Sequence, residues 1–300
     1  MSLITCENLS KSYGSKQALD SVSISLSTGA PIALVGPNGA GKTTLFSLLC
    51  GYLLPSSGNV TIMGEQPGSR KLLGKVSSLP QDAALDPNLN LITQFTLFGT
   101  LQGLSKSQAK SEGLRVLSLV GLKDVAQQKP TALSHGMSKR ASIAQALIGS
   151  PELVLLDEPT AGLDPVNAKV IRELVRSLSH EITFVISSHN LDELEKLCDQ
   201  VLYLDNGKLG QSVSMQENLL DEYVTISMQE CDNTALIEEV EKLSGVNSVT
   251  AKQENEFLIH YNAKQITDLE LQLFKLFLAQ GWRYKAILKG RTLEDKLFSS

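Results

Sequence analysis

The run Gly36-Pro37-Asn38-Gly39-Ala40-Gly41-Lys42-Thr43 constrains this chain more than any other stretch in it. A short apolar segment, Ile32-Ala33-Leu34-Val35, precedes it, and Thr44-Leu45-Phe46-Ser47-Leu48-Leu49 follows with helical spacing. Strand, glycine loop and helix in that order are the setting of a phosphate-binding P-loop. Gly36, Gly39 and Gly41 let the backbone bend so that successive N–H groups point at phosphate oxygens. The helix N-terminus adds a partial positive charge. Lys42 is spaced to reach β- and γ-phosphates, and the Thr43 hydroxyl to bind Mg²⁺. The segment therefore predicts a nucleoside triphosphate site spanning Gly36 to Thr44.

A second marker is Leu153-Val154-Leu155-Leu156-Asp157-Glu158, an apolar strand that ends in two carboxylates. An acid at the end of a buried strand is costly unless a cation or hydrogen-bond donors meet it. Mg²⁺ meets Asp157, directly or through a water. Glu158, one position on, points differently and is suited to polarise an attacking water as a general base.

The rest of the chain supplies a frame. With 300 residues it is long enough for one large domain and a smaller one. Its apolar runs are only a few residues long, against about 20 for a bilayer-spanning helix. Residues 1–20 lack the basic start and apolar core of a secretory signal, so the expected location is the cytoplasm. Cys6, Cys50, Cys198 and Cys231 match no metal or redox spacing and read as reduced, mostly buried thiols. The net charge of −5 falls entirely in residues 215–300, which hold 14 acidic and 9 basic side chains. Residues 1–214 balance at 18 of each, which gives no basic face for nucleic acid.

Strand-like runs occupy Leu3 to Leu9 and the alternation Val22, Ile24, Leu26, with Tyr13-Gly14 expected in the turn region between them. Helical spacing dominates from about Asn90 to Gly149, with Leu91, Phe95 and Phe98 on one face and Leu114, Leu117 and Val120 on another. Strands return at Leu153 to Leu156 and Ile182 to Ile186, separated by a helix from about Val166 to Leu178. A hairpin at Val201 to Leu204 turns through Asn206-Gly207, a type I′ signal. This order predicts an α/β fold: a P-loop NTPase core with an antiparallel β subdomain and a helical subdomain at about 82–150. The polar stretch Gly210 to Asn218 reads as a linker, dividing the chain into 1–213 and 214–300. The second part reads βαββαβ, the order of a small ferredoxin-like α+β domain.

At this point the sequence resembles the nucleotide-binding subunit of ATP-binding cassette transporters, over residues 1 to about 213, with motifs in the family order. Tyr13 matches the aromatic that stacks on adenine. Gln81, in Ser78-Leu79-Pro80-Gln81, matches the Q-loop glutamine that senses Mg²⁺ and the membrane partner. Leu133-Ser134-His135-Gly136-Met137 stands at the signature motif, where His135 and Met137 replace a glycine and a glutamine. Ala161-Gly162-Leu163-Asp164 matches the D-loop, and His189 in Ser187-Ser188-His189 the switch histidine.

The resemblance implies an ATPase in which two cassettes pack head to tail around two ATP. Ser134 and the amides near Gly136 of one chain then serve the γ-phosphate held by the P-loop of the other. Glu158 orients the lytic water and His189 contacts the γ-phosphate. The implied partners are a second copy or a paralogous cassette, and a separate integral-membrane permease that docks near residues 82–130. A peripheral position on the inner face of the cell membrane follows. An alternative is a soluble cassette ATPase working on ribosomes or DNA, but one P-loop and no sustained heptad run disfavour it. Gly281-Trp282, Ile287 and Thr292 to Phe298 resemble the ending of exporter-type subunits, which predicts outward transport.

Overall fold

In the computed structural model the chain forms two compact units, residues 1–213 and 214–300. The structure describes all residues except 1, 189–190, 192–193, 195–196, 215–221, 230, 253–254, 264, 267 and 292–300, and the backbone alone at 211–214.

The first unit opens with a long hairpin, β1 (Ser2–Tyr13) and β2 (Lys16–Ser27). With β4 (Ser57–Ile62) these strands form a three-stranded sheet in the order β2-β1-β4, antiparallel at both pairings. Tyr13, expected in the turn, is the last residue of β1 and pairs with Lys16. Bulges absorb the mismatch along β1 and let the strand run past Leu9.

The second sheet has six strands in the order β5-β6-β7-β3-β8-β9. These are β3 (Ile32–Val35), β5 (Val76–Leu79), β6 (Leu153–Asp157), β7 (Thr183–Ser187), β8 (Gln200–Asp205) and β9 (Lys208–Ser214). The pairs β3–β7, β3–β8, β5–β6 and β6–β7 are parallel. Every residue of β3, β6 and β7 is buried, as expected for strands covered on both faces. Asn206 at φ 46° and Gly207 at φ 78° give the two left-handed residues that a type I′ turn requires between β8 and β9.

Helix α1 (Lys42–Leu49) leaves β3 through the glycine loop and buries Leu45, Phe46, Leu48 and Leu49. It seats the antiparallel sheet on the parallel one: Ile4, Leu9 and Leu19 share a core with Leu45, Leu34, Leu155 and Leu202. Burial of this kind is worth about 25 cal/mol per Å² of apolar surface.

Helices α2 (Leu91–Leu101), α3 (Lys106–Leu119) and α4 (His135–Ala146) lie between β5 and β6 in sequence. Leu91 and Phe95 are buried, but Phe98 and Leu114 are only half-buried. Gly99 and Gly113 explain the close α2–α3 packing. A Cβ on Gly99 would stand 2.8 Å from Ala109 Cβ, and one on Gly113 would stand 3.0 Å from Phe95 Cβ. Glu112 ties α3 to the end of the bundle by accepting from Arg115 and from the Gly149 N–H. Helix α5 (Pro165–Leu178) is amphipathic, burying Ala168, Ile171, Leu174 and Val175.

The second unit runs β10 (Tyr223–Met228), α6 (Asn233–Glu241), β11 (Val246–Ala251), β12 (Glu256–Tyr261), α7 (Leu269–Gln280) and β13 (Tyr284–Lys289). Its strands lie in the order β11-β12-β10-β13, all antiparallel. That is the split βαβ topology of ferredoxin-like folds. Alternate residues Val224, Ile226, Phe257 and Ile259 meet Leu236, Val240, Leu269, Leu273 and Phe277 in one core. Trp282 and Ile287 pack against that core, while Leu297 and Phe298 lie outside the described residues.

Cys6 and Cys198 are buried, and Cys50 and Cys231 are half-buried. Burial pushes the Cys6 and Cys198 thiols up to about 12, which keeps them protonated. No helix among the described residues is long and apolar enough to cross a membrane.

Candidate functional site

The glycine loop begins where β3 ends. At Gly36 (φ 153°) a Cβ would lie 2.0 Å from the Leu204 carbonyl oxygen. At Gly41 (φ 107°) it would lie 2.5 Å from the Ala18 carbonyl oxygen. Both positions are closed to other residues, by sterics and by conformation. Gly41 caps α1 without any side-chain hydrogen bond, so the first-turn N–H groups keep their capacity for an anion. Lys42 Nζ lies over the loop, donating to the Gly36 carbonyl at 2.6 Å and the Pro37 carbonyl at 3.2 Å. Ala40 is buried beneath the loop, its N–H donating to Pro37 O at 3.1 Å.

Beside the loop lies a cavity of about 260 Å³. Its walls are Tyr13, Lys16, Ala18, Asn38, Gly39, Gly41, Lys42, Thr43, Thr44, Gln81, Asp157 and Glu158. Residues from β1, the loop, the end of β5 and the end of β6 thus converge on one space. Tyr13 is 48% exposed, its ring open on one side and approached by Lys11 Nζ at 5.5 Å from the centroid. Asp157 and Glu158 are buried carboxylates at 6% and 8% exposure. Glu158 follows the strand in a left-handed conformation, φ 50°. The Thr43 hydroxyl, the Gln81 amide and the Asp157 carboxylate present the hard oxygen donors, with a single carboxylate, that suit Mg²⁺ beside phosphates.

Ser134, Gly136 and Asp164 do not line this cavity; they meet at the start of α4 and α5. Ser134 is the N-cap of α4 and accepts from the Met137 N–H at 3.2 Å. Asp164 caps α5, accepting from the Val166 and Asn167 N–H groups and from Asn167 Nδ2 at 2.6 Å. The Asn167 bond holds the Asp164 carboxyl below the usual carboxylate range. A Cβ on Gly136 would stand 2.5 Å from Asn167 Cγ, so the α4 N-terminus rests directly on the Asn167 amide. His135 Nε2 would lie 3.5 Å from a Cβ on Gly162. His189 lies outside the described residues.

Four positions were missed in the sequence. Lys16 and Ala18 face the cavity because β2 returns beside Tyr13. Asn167 joins α4 to Asp164. Lys139 of α4 is pushed below its ordinary range by burial, and the carboxylates of Asp157, Asp82 and Glu158 oppose that shift. A lysine three residues after Gly136 in a helix gives no local signal of such a neighbourhood.

Comparison with known proteins identifies the family. The family described as ABC transporter matches residues 19–161. The linearmycin resistance ATP-binding protein LnrL of Bacillus subtilis (strain 168) is 34% identical over 257 residues, covering 84% of this chain and 83% of that protein. The chain belongs to the ATP-binding subunits of ABC transporters. The bacitracin transport ATP-binding protein BcrA of Bacillus licheniformis is 31% identical over 299 residues, covering 98% of this chain and 94% of that protein. Among solved structures, the ADP conformation of the ATP-binding cassette MJ1267 aligns with TM-score 0.65 at 26% identity, over 74% of this chain and 96% of that one. This ABC subunit is an ATPase, and the cavity beside Lys42 is its candidate nucleotide site.

Proposed function

We propose that this ABC subunit dimerises around two ATP and drives outward transport through a separate membrane permease. The observation that carries the reading is the division of its motifs. Tyr13, the loop, Gln81, Asp157 and Glu158 share one cavity, while Ser134 and Gly136 stand elsewhere, at the N-terminus of α4. A second chain is required to bring a signature segment to each nucleotide.

In this reading Tyr13 stacks on adenine, the loop amides from Gly36 to Thr44 cradle the phosphates, and Lys42 moves from its carbonyl partners to the β- and γ-phosphates. Thr43, Gln81 and Asp157 would hold Mg²⁺, which neutralises phosphate charge when bound. Glu158 accepts the proton of the lytic water, and His189 contacts the γ-phosphate. The partner's copies of the Ser134 and Gly136 segments complete the site. Asp164, engaged in capping α5, sets the position of the D-loop backbone. Residues 1–213 act as the cassette, and 214–300 as an accessory domain.

Outward transport is supported by the names of relatives, which concern linearmycin resistance and bacitracin transport. A permease partner at the inner face of the cell membrane accords with the absence of a membrane-spanning helix among the described residues.

The test is Glu158→Gln in the full chain. Turnover should fall by about 10²- to 10⁴-fold, while ATP still shifts the protein to a dimer in size-exclusion chromatography. Wild-type turnover would remove Glu158 from catalysis, and a monomer at saturating ATP would remove the dimer. Co-purification with ribosomes rather than a membrane protein would overturn the transport reading.

A further inference from the structure

Strand β7 reads Thr183-Phe184-Val185-Ile186 and then ends in a serine, Ser187, that is 0% exposed. It lies directly beside Asp157, in the parallel register Asp157↔Ser187. A hydroxyl sealed at the end of an apolar strand costs stability unless it is bonded. Here it has two partners. Ser187 Oγ accepts from the Glu158 N–H at 3.0 Å and donates to Asp157 Oδ1.

The direction of both bonds follows from chemistry. A backbone N–H only donates, so the Ser187 oxygen accepts there and its own proton goes to Asp157 Oδ1. The Ser187 carbonyl also accepts from the Glu158 N–H, at 3.2 Å. Two atoms of one residue, its carbonyl oxygen and Oγ, therefore share the Glu158 N–H, and Oγ also holds one carboxylate oxygen of Asp157. That grip falls where the backbone needs it. Glu158 is a non-glycine residue at φ 50°, a conformation that persists only when its surroundings hold it. Turning Glu158 back to negative φ would swing its carboxylate away from the cavity it lines.

We infer that Ser187 is a positioning residue for the acid pair, its hydroxyl fixing which Asp157 oxygen faces the cavity while clamping the peptide that aims Glu158. The inference rests on the roles proposed for Asp157 and Glu158. Alanine at this place would fit the apolar strand and keep the carbonyl bond, but it would lose both hydroxyl bonds at once. A serine that merely satisfied a buried strand end would affect folding and leave turnover and Mg²⁺ response unchanged.

The experiment compares Ser187→Ala, Ser187→Thr and wild type as full chains. Turnover is measured against ATP and Mg²⁺, and binding of a trinitrophenyl-ATP probe is followed by fluorescence with and without Mg²⁺. With Ser187→Ala, kcat should fall about tenfold, the loss of one hydrogen bond to a charged group, while the ATP KM stays within about twofold. The Mg²⁺ concentration that half-maximally strengthens probe binding should rise by about threefold or more. Ser187→Thr, which keeps the hydroxyl, should recover most of both. Wild-type kcat and Mg²⁺ response in Ser187→Ala would overturn the inference, as would Ser187→Thr being folded yet as slow as Ser187→Ala. If Ser187→Ala does not fold, Ser187→Cys, which puts a slightly larger and weaker donor in place of the hydroxyl, takes its place under the same criteria. Glu158→Gln is run alongside. Wild-type turnover there defeats the catalytic reading of Glu158, while the Mg²⁺ response of Ser187→Ala still decides whether Ser187 positions Asp157.

Discussion

The loop cavity and the α4–α5 junction use polar groups in opposite ways. Around the cavity, Lys42, Thr43, Gln81, Asp157 and Glu158 converge on open space, and two carboxylates are buried at its wall. At the junction, Ser134 and Asp164 cap the first turns of their own helices, and Asn167 is bonded to Asp164. The first region turns polar side chains toward an open space. The second is built to hold a backbone, with Gly136 pressed on the Asn167 amide. A site whose chemistry is divided in this way depends on side-chain identity at one end and on packing at the other.

The contrast is broken most severely at Lys42. Replacing it with alanine removes the cation proposed to reach the phosphates, and ATP affinity measured by calorimetry should fall by about a hundredfold, near 3 kcal/mol. An affinity within a few-fold of wild type would mean that the loop amides suffice. At the junction the informative change is Gly136→Ala, which puts a methyl where Asn167 Cγ would be 2.5 Å away. Overpacking of this kind costs about 1–3 kcal/mol. The expected result is roughly tenfold slower turnover, at about 1.4 kcal/mol per tenfold, with unchanged ATP affinity in the isolated monomer. Loss of monomer affinity instead would erase the distinction between the two regions.

The smallest effect concerns the scaffold behind the junction. The Arg115 guanidinium holds the Glu112 carboxyl below its ordinary value, with the Gly149 N–H assisting. A folded pKa below the unfolded one means this contribution is complete above the unfolded value of about 4.5 and is lost as pH falls through the folded pKa. Between pH 6 and pH 4, Glu112→Gln should therefore lose less Tm than wild type does. Equal losses would place the acid sensitivity of the helical region elsewhere.

Much of the fold was legible because its signals are local. The buried β3 and β6, apolar up to the Asp157 that closes β6, the helical spacing of α1 and α5, and the Asn206-Gly207 turn each carry their cause within a few residues. Strand β5 carries no such local signal, since Val76-Ser77-Ser78-Leu79 is short and takes its shape from pairing with β6.

For the site, the loop and the acid pair declared themselves through composition and order. Lys139 and the contact of Asn167 with Gly136 did not, because their neighbours are distant in sequence, and Lys16 reaches the cavity only through the β1–β2 pairing. Ser187 left a faint trace as a hydroxyl closing an apolar strand, yet its partners sit 29 and 30 residues away.

By itself, then, the sequence determined the phosphate loop, the strand-end carboxylates, the motif order and the division into cassette and tail composition. Backbone sterics and side-chain periodicity act over a few residues, so a linear text can hold them. Only the tertiary structure, through long-range strand pairing, brings Tyr13, Gln81 and Asp157 to one cavity, rests Gly136 on Asn167, and sets Ser187 against the Asp157 carboxylate and the Glu158 N–H. Those adjacencies are set by which strands pair across the sheet, a choice made by long-range burial rather than by neighbouring residues.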